Sequence, residues 1–92
     1  MQQDQDTFLN PKDYGLPPRT QLERMEEGHV AIRVDRKSRI IMKDGRALLE
    51  KAERIRATNS ALRVSLKTSA PVCGKTRAFL AGHGVVVLSL AS

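Results

Sequence analysis

In the stretch TSAPVCGKTRAFLAGHG, residues 68–84, the chain's only cysteine stands directly ahead of Gly74-Lys75-Thr76, with Arg77 next. Two chemistries compete for it. A phosphate loop wants a glycine, four residues and then Gly-Lys-Ser/Thr between a strand and a helix, because backbone N–H groups must cradle the phosphates and the lysine must reach them. Here Ser69 replaces the opening glycine, Pro71 removes a backbone donor, and the VVVLSLAS that follows holds no acid to help bind Mg²⁺. The pattern therefore argues against a nucleotide hydrolase. A thiol needs less: a cysteine at a helix N-terminus, beside Lys75 and Arg77, is pushed toward thiolate by unpaired N–H groups and by positive charge. Cys73 is the one catalytic candidate, set against its use as a small residue filling space under the helix start.

The second candidate chemistry is anion binding. Net charge is +6, and it is uneven: residues 1–27 carry three basic and six acidic side chains, residues 28–92 thirteen basic and four acidic. A basic body attracts phosphate-bearing or acidic partners at long range, although the same charges also keep a small domain soluble. Arg33, Arg39, Arg63 and Lys67 are expected on an open sheet face, and Lys75, Thr76 and Arg77 at a helix N-terminus. With one Tyr, two Phe and no Trp, none of them on the expected strands, the sheet lacks a base-stacking platform. Binding would then be backbone-directed and salt-sensitive. Neither His29 nor His83 has an acidic neighbour in sequence that suggests catalysis.

These residues need elements to hold them. In HVAIRV, Val30, Ile32 and Val34 alternate with Ala31 and Arg33, the period of a half-buried strand. Asp35-Arg36-Lys37-Ser38 reads as a turn into RIIMK, so the two predict a hairpin. Asp44 is expected to cap a helix in which Leu48, Ala52 and Ile55 recur on one side, with Glu50 and Arg54 paired on the wet side. Alternation returns in ALRVSLKTS. Ser69 is expected to cap the next helix, Pro71 to sit in its first turn, and Val72, Thr76, Phe79, Leu80 and His83 to form its buried stripe. VVVLSL closes as a strand with apolar residues on both faces.

Residues 62–88 resemble the opening strand-helix-strand unit of glutaredoxins and the related thiol-dependent arsenate reductases, on Thr68, Pro71, Cys73, Thr76, Arg77, Phe79, Leu80 and Gly84. The resemblance implies a thioredoxin-like fold and a reactive thiol at Cys73. Thr76 stands where such proteins carry a second cysteine, so a monothiol is implied. Moving the family's hairpin and last helix to the front gives the element order read here, a permuted and shortened arrangement.

The expected fold is thus a single small two-layer α/β (α+β) domain over residues 28–92, ordered β-β-α-β-α-β, with a mixed sheet and both helices on one face. Residues 1–27, polar and interrupted by Pro17-Pro18, are expected to form an arm, partly disordered or wrapping. One cysteine excludes an intramolecular disulfide, and no metal-ligand spacing or cofactor motif is seen. Without a signal-like start or an apolar run of about 20 residues, the chain reads as cytoplasmic and not membrane-bound. The function expected is a non-enzymatic binding module for an anionic macromolecule, nucleic acid or acidic protein. The alternatives are redox or sulfur transfer through Cys73, and self-association as a homodimer through the open face or the C-terminal strand.

Overall fold

A computed structural model describes residues 8–90. Among them, five strands form one mixed sheet: β1 (Phe8–Leu9), β2 (Gln21–Glu26), β3 (His29–Val34), β4 (Arg63–Thr68) and β5 (Val86–Ser89), side by side in chain order. β1, β2 and β3 are successively antiparallel, whereas β3, β4 and β5 run parallel. The parallel steps require crossovers, and α1 (Met42–Thr58) and α2 (Gly74–Gly82) supply them.

One face of the sheet carries the core. Leu22, Val30, Ile32, Val64 and Leu66 lie under Leu48, Ala52 and Ile55 of α1 and Leu80 of α2, in one cluster that places both helices on the same side. The α1 stripe falls as its spacing predicts, and Glu50 and Arg54 pair at 3.7 Å on its exposed side. The mixed α/β sheet and the two helices agree with the fold read from the sequence, although two strands, β1 and β2, stand ahead of β3 and none follows it before α1.

Three local expectations are corrected. First, the hairpin partner of β3 is not RIIMK but β2, joined to it through Gly28 at φ 80°. Ile40 is fully buried and forms an isolated parallel bridge with Val72, so its apolar character serves loop-to-loop packing rather than a strand. The boundary at residue 28 moves with it: residues 1–7 lie outside the described residues, and residues 8–27 contribute β1, a 3-10 turn at Pro11–Tyr14 and β2 to the domain. Leu16 and Leu22 in that stretch are core residues.

Second, Asp44 caps α1 from inside it. Its carboxylate sits in the first turn and accepts the Ile41 N–H at 3.0 Å, the return half of a capping box. Third, α2 begins at Gly74, with Cys73 rather than Ser69 at its N-cap. The Ser69 hydroxyl donates to Asp35 at 2.7 Å, and the chain bends at Ser69 and Ala70 before Val72 pairs with Ile40. Of the expected α2 stripe, Thr76 and Leu80 are buried, whereas His83 is exposed and bonds the Phe79 carbonyl at the helix end.

Candidate functional site

Helix α2 follows β4 through residues 69–73, and α1 follows β3 through residues 35–41. The two loops are joined: Ile40 N–H donates to Pro71 O at 2.9 Å, and Cys73 N–H donates to Ile40 O at 3.0 Å. This pairing brings Arg39 beside the start of α2. Cys73, Arg39, Lys75, Thr76 and Arg77 thus meet at the carboxyl edge of the parallel strands, the usual side for ligands in open α/β sheets.

The first backbone bond of α2 runs from Arg77 N to Cys73 O at 2.9 Å. The N–H groups of Gly74, Lys75 and Thr76 precede it and have no helical acceptor. Cys73 is a free, partly exposed thiol at the N-cap of α2, and its pKa lies below the ordinary thiol value. The causes, largest first among those that lower it, are the Thr76 N–H, the Lys75 N–H, the Thr76 side chain and the charge of Arg39. All of them favour the anion.

Thr76 is fully buried, and its hydroxyl has no hydrogen-bond partner of ordinary length. Its methyl lies against Gly45 of α1, so closely that a Cβ there would approach Thr76 Cγ2 to 2.7 Å. The Thr76 side chain is also one of the groups that hold the Cys73 pKa down. Sequence reading missed Gly45, although a glycine in the first turns of a helix is a signal of close approach, because it otherwise only weakens the helix.

The open sheet face holds the other expected cations, except Arg39, which belongs to the loop. Arg33 and Lys67 converge on Glu23, at 2.9 Å and 3.0 Å, and the Arg33 guanidinium lies 5.5 Å over the Phe8 ring. The Glu23 pKa is lowered: burial opposes ionisation, and Lys67 and then Arg33 more than offset it. Arg63 stands at the amino end of the same face, across from His29, whose Nε2 contacts Ser65 Oγ at 2.6 Å. Sequence reading does not single out Glu23; its position ten residues from one partner and forty-four from the other leaves no local signal.

A cleft of about 890 Å³ lies elsewhere, between the segment around Pro17–Thr20 and α1. It mixes Arg19 and Lys51 with Asp35 and Asp44, and it excludes Cys73, Lys75 and Arg77. Among the described residues no group of His, Cys, Asp and Glu could hold a metal ion, and no helix is long and apolar enough to cross a membrane. The chain matches no protein-family model, no curated protein and no solved structure.

Proposed function

We propose that the protein is a small binding module that engages an anionic macromolecule at the carboxyl edge of its sheet. One observation carries this reading: the Ile40–Val72 bridge sets Arg39 beside the N-terminus of α2, where Lys75 and Arg77 are exposed and, among the described residues, none of the three side chains has an ion-pair partner. Nucleic-acid backbone or an acidic protein surface supplies the matching charge. Arg33 and Lys67 belong to the same expected set but share the Glu23 carboxylate within the chain, which offsets one of their two charges.

The test compares two double variants in binding to a mixed-sequence oligonucleotide across a salt series. Lys75→Ala with Arg77→Ala should weaken binding and reduce the slope of log affinity against log salt by about 1 for each phosphate that is no longer neutralised. Arg33→Ala with Lys67→Ala should change the slope far less. Absence of binding by the unaltered protein at low salt, to this probe and to an acidic polypeptide alike, would reject the reading.

A second reading rests on the lowered pKa of Cys73. A thiolate at the N-cap of α2, reached from β4 through Pro71-x-Cys73, supports a monothiol redox or sulfur-transfer role of thioredoxin-like form. Its measure is the rate of alkylation against pH: a midpoint at or above that of an ordinary thiol would exclude it. Cytoplasmic residence accords with an unpaired, accessible thiol and belongs to the same proposal.

A further inference from the structure

The second half of α1 is tied to the end of the 3-10 turn, where Arg54 Nη1 donates to Gly15 O at 3.2 Å. Toward the start of α1 no such tie is made, and the cleft of about 890 Å³ opens between the helix and the segment around Pro17–Thr20. That size falls within the range of about 300–1,000 Å³ usual for small-molecule sites. The cleft lies at the carboxyl end of β3, beside Val34, Asp35 and Arg36.

Both walls are held by the chain's own bonds. On one side, Pro17-Pro18-Arg19-Thr20 closes a turn in which the Thr20 N–H donates to Pro17 O at 3.0 Å, with Pro18 at the position where a fixed φ suits the turn. On the other, Asp44, Ala47, Leu48 and Lys51 recur at i, i+3, i+4 and i+7 along one face of α1. Ala47 is small and exposed, so it leaves a hollow that a larger side chain would fill. Pro17, Val34 and Ala47 offer apolar surface here, backed by the buried Ile32, Ile40 and Leu48.

The charges of the lining do not balance. Arg36 and Asp44 pair at 2.7 Å, Arg33 is held by Glu23, and Asp35 accepts from the Ser69 hydroxyl. Arg19 and Lys51 also line the cleft, and among the described residues neither has an ion-pair partner. Set against Asp35, they leave an excess of positive charge. Thr20 adds a polar group: it lines the cleft, it is 8% exposed, and its hydroxyl has no hydrogen-bond partner. A buried hydroxyl in that state costs free energy, which an acceptor bound beside it would offset.

We propose that this cleft is a binding site for a small organic anion, an apolar body carrying a carboxylate, sulfonate or phosphate. The body lies against Pro17, Val34 and Ala47, and its charge is met by Arg19 and Lys51. The site shares no residue with the start of α2 and stands independently of the macromolecular reading above.

The experiment titrates the full chain with anilinonaphthalene sulfonate, an aromatic body with one sulfonate, and reads its fluorescence. A single saturable site is expected. Arg19→Ala with Lys51→Ala should weaken it about fivefold, as the loss of two partly exposed ion pairs would. The same changes should leave binding of phenylnaphthylamine, the body without the charge, unaltered. Ala47→Trp, at an exposed position, should abolish binding of both probes while the denaturant midpoint moves no more than for an ordinary surface substitution. Thr20→Val should weaken the sulfonate without lowering that midpoint, and Lys75→Ala with Arg77→Ala should leave both probes unaffected.

Absence of a saturable site would overturn the proposal, as would binding that survives Ala47→Trp. Equal loss of both probes on removal of Arg19 and Lys51 would also overturn it, because the cations would then serve shape rather than charge. Loss of the sulfonate in the variant lacking Lys75 and Arg77 would do the same by placing the probe at the start of α2.

Discussion

The open sheet face and the carboxyl edge both collect cations, but they dispose of them differently. On the face, Arg33 and Lys67 close on a single carboxylate whose side chain is only 13% exposed, and Phe8 covers the guanidinium. At the edge, Arg39 lies near the Cys73 sulfur and Lys75 and Arg77 lie in the first turn of α2, and among the described residues none of the three has an ion-pair partner. Positive charge on a surface is therefore a poor index of anion binding by itself. What counts is whether the fold has already satisfied it.

The strongest way to break the contrast is to remove Glu23. Glu23→Ala leaves Arg33 and Lys67 facing one another in a partly buried setting, and should cost roughly 2–3 kcal/mol of unfolding free energy, read by denaturant titration. Glu23→Gln keeps the shape and should turn the open face into a second anion surface, with steeper salt dependence of oligonucleotide binding than the unaltered protein. If neither stability nor salt slope responds, the two regions are not distinguished by Glu23.

Acid sharpens the same contrast. Glu23 and Asp44 both have folded pKa values below the ordinary carboxylate range, Glu23 because Lys67 and Arg33 outweigh its desolvation, Asp44 chiefly through the Ile41 N–H and then Arg36. A depressed folded pKa makes the unfolded chain the better proton binder. The stability these groups contribute is complete above the ordinary carboxylate range and is lost as pH falls through their lower folded values. Denaturant midpoints measured downward from neutral pH should fall in that acid window, and Glu23→Gln should flatten the part due to Glu23. The smallest effect is expected at Glu50→Ala, which removes an exposed i,i+4 pair and should cost about 0.3–0.5 kcal/mol.

How far the sequence announces this structure depends on whether the determining contact is local. The stripe of Leu48, Ala52 and Ile55 and the alternation of Val64 and Leu66 are short-range patterns, and α1 and β4 follow from them. Strand β2 is hidden because QLERME buries Leu22 alone among charged neighbours, so that its period is carried by one apolar residue. RIIMK imitates a strand because Ile40 must reach the core to bridge Val72, a contact between loops 32 positions apart. At the site, Lys75, Thr76 and Arg77 are legible from their adjacency to Cys73. Arg39 reads as a sheet residue because nothing in its own neighbourhood signals the bridge, and the role of Glu23 depends wholly on a three-strand register.

The bridge between residues 40 and 72 also makes Cys73 a reporter of folding. Its acidity is assembled from the N–H groups of a formed helix and from an arginine delivered by another loop, so unfolding returns the sulfur to that of a free cysteine. Between the depressed native pKa and the ordinary one, the unfolded chain carries the extra proton, and native stability rises with pH across that interval. One sulfur atom thus records, in its own protonation, whether two distant parts of the chain have met.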